Sequence, residues 1–495
     1  MKKIIFGAIM LLAAPILGEG GPVEAVADGL STPPIVASPA PRKKVRRPRR
    51  PRRAAVPVAV ATTTVVLRDD DRLLVLAPHP DDDILCCGGL IQEAVDRGLP
   101  LRVVYFTYGD NYEWAFMAYK KHPVIRRKAM QNMGLLRHDE AVAGMGVLGV
   151  SSGSLSFLGY PDYGTLKIWN SRWDGRPPYR SMLTRVSKVP YANAYRPGAA
   201  YKGEEIVKDL TSLLREFRPT KIFVSHPGDQ HPDHRALPLY LHVALWDLGP
   251  DFAPAVYPYL VHLRRWPSPP GHRPDQPLAP PAAFRALAQW ETFPVDAGRR
   301  EAKRRALERH RTQFAYDRNY LLSFIRTNEL FGDFPILDLD RKGLPPPEDS
   351  DQERAKFVGV ETKTVSVQNG KLVVTVSYQR PLGNRTGVQV FAFGYRPGVP
   401  FERMPKLRID FGALRHRVFD QGRELPWKSI EVDREPRRIT LWIPLELMGE
   451  PDRILLSSRS LFVSLPLDWA TWHLVELGRR TSDPSERKES DGQNR

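Results

Sequence analysis

Two short stretches hold residue types that could do chemistry together. His79-Pro80-Asp81-Asp82-Asp83 sets a histidine and three consecutive carboxylates one residue after the apolar run Leu73–Ala77. His226-Pro227-Gly228-Asp229-Gln230-His231-Pro232-Asp233-His234-Arg235 follows Lys221–Ser225 in the same manner. Adjacent carboxylates repel one another unless a cation or abundant water compensates them. Taken alone, the first stretch also reads as an acidic turn at the start of a helix, where Asp is favoured. The second alone also reads as a polar surface loop. Together they supply four His and five Asp at the ends of two strands, and mixed imidazole and carboxylate donors suit zinc or another divalent first-row metal.

The elements that must position these residues alternate. Leu73–Ala77, Leu101–Thr107 and Lys221–Ser225 read as strands, and 88–97, 125–136, 139–148 and 204–217 as helices. That rhythm predicts an α/β fold with a doubly wound parallel sheet, in which ligands sit beyond the carboxyl ends of the strands. Both motifs then share one rim. The rhythm breaks over 163–203, a long insert with Trp169, Trp173, Tyr179, Tyr191 and Tyr195. Following Asp162, it is expected to overhang the site, either as aromatic platforms for sugar rings or as a packed lid. From about 353 the pattern turns all-β. Residues 361–368, Asn369-Gly370 and Lys371–Tyr378 spell a hairpin, and further short apolar stretches suggest a C-terminal sandwich-like domain. Trp427, Trp442, Trp469 and Trp472 there are read as sandwich core in preference to a carbohydrate-binding surface.

The 495 residues, 42% of them hydrophobic, suffice for two or more packed domains. The net charge of +17 is uneven, because residues 42–53 alone hold nine positive and no negative charges. This basic, Pro-rich linker suits either a solvated spacer or contact with an anionic envelope polymer or membrane surface. With no aromatics interleaved, specific nucleic-acid binding is not expected. Met1-Lys2-Lys3 followed by the apolar residues 4–17 has the form of a secretory signal, with Ala25-Val26-Ala27 as a cleavage site. The expected location is therefore periplasmic, cell-envelope or extracellular. The two cysteines, Cys86 and Cys87, are adjacent, which argues for buried packing and against a disulfide framework. The expected organisation is a signal peptide at 1–27, a basic linker at 28–60, an α/β domain at 61–340, a linker at 341–352, a β-domain at 353–478 and a polar tail at 479–495.

His79-Pro80-Asp81-Asp82 and His231-Pro232-Asp233-His234 resemble the paired signatures of the PIG-L/LmbE family of zinc-dependent N-deacetylases. The resemblance continues at Arg137-x-x-Glu140, Leu158-Gly159-Tyr160-Pro161-Asp162 and Arg218-Pro219-Thr220, and ends with Lys303-x-x-Ala306-x-x-x-His310-x-x-Gln313. It implies a Rossmann-like fold over about 73–331 and removal of acetyl groups from N-acetylglucosaminyl compounds. It further implies His79, Asp82 and His234 as zinc ligands, and Asp81 as general base. His231 would steady the oxyanion and protonate the leaving amine, with Asp233 orienting it. Arg137 and Asp162 would contact substrate. This chain has Asp83 where the family usually has Glu. The chemistry of amide hydrolysis needs the same parts: a metal to acidify water and polarise the carbonyl, a carboxylate to take the proton, and an imidazole to return one. Three other readings stay open: a non-catalytic carbohydrate-binding protein of the envelope, a metal phosphoesterase, and a deacylase for longer acyl groups.

Overall fold

Leu73–Ala77 (β2) is five apolar residues in a row, all buried, as expected of a strand covered on both faces of a parallel sheet. Around it assemble β1 (Thr63–Thr64), β3 (Leu101–Thr107), β4 (Leu155–Tyr160), β5 (Lys221–Ser225), β6 (Ala255–Tyr259), β7 (Glu291–Pro294) and β8 (Asn328–Phe331), in the order β1-β7-β8-β6-β5-β2-β3-β4. All pairings are parallel except those of β8 with β6 and β7. The helices are α1 (Asp82–Asp96), α2 (Glu113–Lys120), α3 (Arg127–Val147), α4 (Thr165–Ser171), α5 (Gly203–Phe217), α6 (Pro232–Leu248), α7 (Ala297–Leu307) and α8 (Arg311–Leu322). The chain runs β2-β3-β4 outward in one direction and β5-β6 in the other. The strand order therefore reverses between β2 and β5, and ligands of open α/β sheets bind at such a reversal. The two His/Asp motifs follow these two strands.

This computed structural model describes residues 63–121, 126–284, 289–334, 336–337, 359–412, 416–463, 465–467 and 471–477. The signal-like segment 1–27, the basic linker 28–60, the linker 341–352 and the tail 479–495 lie outside the described residues. Among the described residues no helix is long and apolar enough to cross a membrane.

Among the described residues the C-terminal part has twelve strands: β9 (Ile336–Leu337), β10 (Val360–Gln368), β11 (Lys371–Tyr378), β12 (Thr386–Tyr395), β13 (Lys406–Phe411), β14 (His416–Asp420), β15 (Arg423–Leu425), β16 (Glu431–Glu435), β17 (Arg438–Pro444), β18 (Arg453–Phe462), β19 (Leu465–Pro466) and β20 (Trp472–Glu476). One sheet runs β10-β11-β17-β16 and the other β15-β14-β13-β12-β18-β20-β9, with β19 on β18. The pairing is antiparallel apart from β20 with β9. Alternation along β12 shows how this second sheet is used. Val388, Val390 and Ala392 enter the sandwich core, while Phe391, Phe393 and Tyr395 face the other way into the α/β core. A strand's period of two makes both contacts from one sequence.

The aromatic insert therefore does something other than the sugar-platform reading expected. Trp169 and Trp173 are fully buried. Trp169 lies 5.6 Å from Phe393, 5.5 Å from Phe401 and 5.9 Å from Trp472 of the β-domain, and 5.0 Å from Tyr240 on α6. Lys406 is sealed into the same junction, donating to the Met404 carbonyl at 3.0 Å with its ammonium 4.7 Å from the Trp173 ring. The large apolar area of these rings favours sharing a core over exposure. Trp169→Ala should cost about 3–5 kcal/mol in chemical denaturation. The α/β and β parts should unfold in one transition, since one cluster supports both.

Candidate metal centre

Each element ending at the β2/β5 crevice delivers part of one site. After β2 the chain turns sharply: Asp82 N–H donates to the His79 carbonyl at 3.3 Å and His79 N–H returns to Asp82 Oδ2 at 2.9 Å. Asp81 sits at the apex with φ 138°, a left-handed conformation that costs a non-glycine residue ~1–3 kcal/mol and persists only where the surroundings enforce it. The enforcement comes from two sides. Arg137 on α3 donates to the Pro80 carbonyl at 3.1 Å and the Gly109 carbonyl at 3.2 Å. Asp83, the departure from the family pattern, accepts the Tyr105 hydroxyl at 2.6 Å and Asp81 N–H at 3.3 Å. On the β5 side, His231 caps α6 with Pro232 in the first turn.

The three expected ligands converge. His79 Nδ1 lies 3.2 Å from Asp82 Oδ2 and 3.2 Å from His234 Nε2, and His234 Nε2 lies 3.0 Å from Asp82 Oδ2. Donors ~2.0–2.2 Å from one ion and ~90–110° apart at it would be separated by ~3.0–3.5 Å. The triangle fits a single divalent ion. Its electrostatics agree. Burial opposes charge on His234, yet Asp82 and Asp229 outweigh it and raise its pKa to about 9. Burial likewise works against an ionised Asp82, yet His234 and His79 hold it well below the usual carboxylate range. A buried anion with imidazole nitrogens gathered around it is a cation site by chemistry.

A fourth donor, His262, joins His79, Asp82 and His234. Sequence reasoning missed it, although its signal is the same: the run Ala255–Tyr259 continues through Leu260 and Val261 into a histidine. Asp229 ties the loops together, accepting from Val261 N–H at 3.0 Å, His262 N–H at 2.9 Å and His231 N–H at 2.8 Å. Its carboxylate lies 3.3 Å from His234 Nδ1, so it steadies a ligand as well as shaping the loop.

Two expected site residues take partners that the sequence did not suggest, although Asp162 also lines the cavity that opens from the triangle. Asp162 reads from sequence as a substrate contact, but its Oδ1 lies 3.2 Å from His79 Nε2 while Oδ2 accepts Asn111 N–H at 3.0 Å. Asp233 reads as the partner of the His231 ring, but it is 3.8 Å from His231 Nδ1. Its carboxylate instead accepts Tyr163 N–H at 2.6 Å and Thr165 N–H at 3.1 Å, and approaches His79 Nε2 at 3.4 Å. Both acids thus orient His79 from behind. The loop after β4 and the first turn of α6 bring them there, which spacing along the chain does not reveal. Arg137, another expected substrate contact, lies 3.6 Å from Asp81 Oδ1 and is occupied in bracing that turn. Glu140 accepts the Thr312 hydroxyl at 2.6 Å and N–H at 3.0 Å, capping α8. Carboxylates behind a ligating histidine typically tune metal affinity 10- to 100-fold. Asp162→Asn should weaken metal binding by about that factor in competition with a chelator.

Asp81 and His231 both line a cavity of about 460 Å³ that opens from the triangle. Burial, opposed by Arg137 and reinforced by Asp82, raises the Asp81 pKa to about 7. Burial, together with the nearby His79, holds His231 far below its ordinary value, so its ring is neutral. Asp233 N–H donates to His231 Nδ1 at 3.3 Å, which puts the ring proton on Nε2. His310 and Gln313 part company: His310 is fully buried between helices, while Gln313 reaches the cavity. Cys86 and Cys87 are free and buried.

Residues 74–244, from β2 to α6, match the family model PIG-L, described as GlcNAc-PI de-N-acetylase. No curated protein sequence matches the chain. Among solved structures, N,N'-diacetylchitobiose deacetylase from Pyrococcus horikoshii is 20% identical over 53% of this chain and 82% of its own, with a TM-score of 0.31. The zinc-inhibited form of teicoplanin deacetylase Orf2 is 18% identical over 53% and 97%, with a TM-score of 0.35. GalB, the 4-carboxy-2-hydroxymuconate hydratase from Pseudomonas putida KT2440, is 14% identical over 55% and 100%, with a TM-score of 0.33. With both His/Asp motifs inside the matched span, residues 74–244 of this chain are a PIG-L family domain.

Proposed function

We propose that this protein is an exported zinc-dependent amidohydrolase that removes N-acetyl groups from an N-acetylglucosamine-containing glycan or glycoconjugate. The observation that carries the reading is the donor triangle of His79, Asp82 and His234 with Asp81 beside it in one cavity. His79, Asp82 and His234 would hold a divalent ion, which would acidify a water towards neutrality and polarise an acyl carbonyl. Asp81, with a pKa of about 7, is matched to accept that water's proton at neutral pH. Arg137 stands 3.6 Å from its carboxylate and Asp83 holds its backbone N–H. His231, neutral and protonated on Nε2, can hydrogen-bond the developing oxyanion, and Asp81 returns the proton it took from water to the departing nitrogen. Water adds across the C–N bond, giving acetate and a free amine. The PIG-L description supports an N-acetylglucosaminyl substrate, and the charged start and apolar run at 1–17 support export.

The test is metal content measured beside acetate release. Purified full chain should hold about one tightly bound zinc and release acetate from N-acetylglucosamine oligomers or envelope extract. Chelation should abolish release and zinc restore it. Folded, zinc-loaded protein that frees no acetate from any of these would overturn the reading.

A further inference from the structure

Of the residues lining the cavity, His79, Asp81 and Asp82 are buried, whereas Tyr112 is half-buried and Tyr316 and Asp317 are exposed at its outer part. At about 460 Å³ it falls in the range of sites that engulf a complete small molecule. Tyr112 and Tyr316 meet edge to face with ring centroids 5.1 Å apart, and burial together with a hydrogen bond that Tyr112 donates to Tyr316 raises the Tyr112 pKa. Tyr316 is 40% exposed, one of few large aromatic side chains left open among the described residues.

Helix α8 is broken where these residues stand. Asp317 has φ −144° and ψ 67° inside an otherwise helical run, and its Oδ1 restarts the helix by accepting Tyr320 N–H at 3.0 Å. A break forfeits helical hydrogen bonds, so it needs a structural or functional cause. Neither proline nor glycine accounts for it, since α8 reads RTQFAYDRNYLL. The consequence is local: an open tyrosine face and an exposed carboxylate both stand at the cavity mouth. An aromatic face suits the C–H side of a pyranose, and a carboxylate accepts two hydroxyl donors. A long acyl chain would gain nothing from Asp317.

We propose that the outer half of the cavity is a saccharide subsite. Tyr316, held by Tyr112, and Asp317 take the second ring of a glycan whose first ring presents its acetamido group to the donor triangle. This rests on the deacetylase reading for the position of the first ring. The substrate is then an oligosaccharide or glycoconjugate with at least two rings, not a free monosaccharide.

The test uses zinc-loaded full chain, wild type and Tyr316→Ala, with N-acetylglucosamine and its β-linked di- and trisaccharides. Acetate release and calorimetric binding are both measured. Wild type should prefer the disaccharide over the monosaccharide in kcat/KM. Tyr316→Ala should shrink that ratio about 3- to 10-fold, chiefly through KM. Equal use of mono- and disaccharide by wild type, or a ratio unchanged in folded Tyr316→Ala, overturns the subsite. If no sugar releases acetate yet disaccharide binding weakens in Tyr316→Ala, the subsite stands and the deacetylase reading falls. If neither release nor binding is seen, both fall.

Discussion

Asp81→Asn should lower kcat for amide hydrolysis by about 100- to 10,000-fold while the protein keeps its metal and its fold. The side chain removed is not part of the donor triangle, so zinc content should match wild type. Its carboxylate is buried and held near neutral pKa by that burial, and a carboxamide of the same shape accepts no proton. The backbone strain at φ 138° should remain, because Arg137 grips the neighbouring carbonyls of Pro80 and Gly109 whatever side chain residue 81 carries. Metal analysis, thermal unfolding and turnover on the same preparation check this. A variant that loses zinc would instead make Asp81 a ligand. One that keeps full turnover would move the base elsewhere, Asp83 being the neighbouring candidate with a pKa raised to about 7 by burial.

An effect on stability as large as that of Trp169→Ala should come from Glu329→Ala, at about 3–5 kcal/mol. Glu329 on β8 and Lys303 on α7 are both buried, and their charged atoms are 2.7 Å apart. Glu329 also accepts Gly89 N–H at 2.7 Å and Leu90 N–H at 2.9 Å, while the Lys303 ammonium donates to the Leu85 carbonyl at 2.9 Å. The pair thus ties into the backbone of α1 at Leu85, Gly89 and Leu90. Removing the carboxylate leaves a buried ammonium without its counter-charge. Lys303→Met should cost less, because Glu329 keeps both N–H donors. The double variant Lys303→Met with Glu329→Gln should be less destabilised than the two single changes summed, as expected of contacting residues. Equilibrium denaturation of the four proteins measures this coupling. Since α1 begins at Asp82, loosening it should also weaken metal binding. The glycines here are explained by space: a Cβ on Gly89 would stand 2.6 Å from Val295 Cγ2, and one on Gly88 3.0 Å from Lys303 Cγ.

What the sequence by itself determined is local. Apolar runs of strand length ending in His and Asp marked β2 and β5, and the alternation of runs predicted the parallel sheet. The Asn369-Gly370 hairpin announced the β-domain. These signals lie within a few residues of the feature they specify, since helix and strand periods and turn chemistry act over that range. Tertiary structure decided the rest, because it depends on which strand ends become neighbours. His262 reaches the donors from β6, and Asp162 reaches His79 from β4. Asp233 turns from the nearby His231 ring towards His79 because Tyr163 and Thr165 offer it backbone N–H groups. The insert's tryptophans, equally suited by type to a sugar or to a core, are buried because β12 presents Phe393 opposite Trp169. A side chain's type states what it can do; only the partners that folding brings within reach settle which of those things it does.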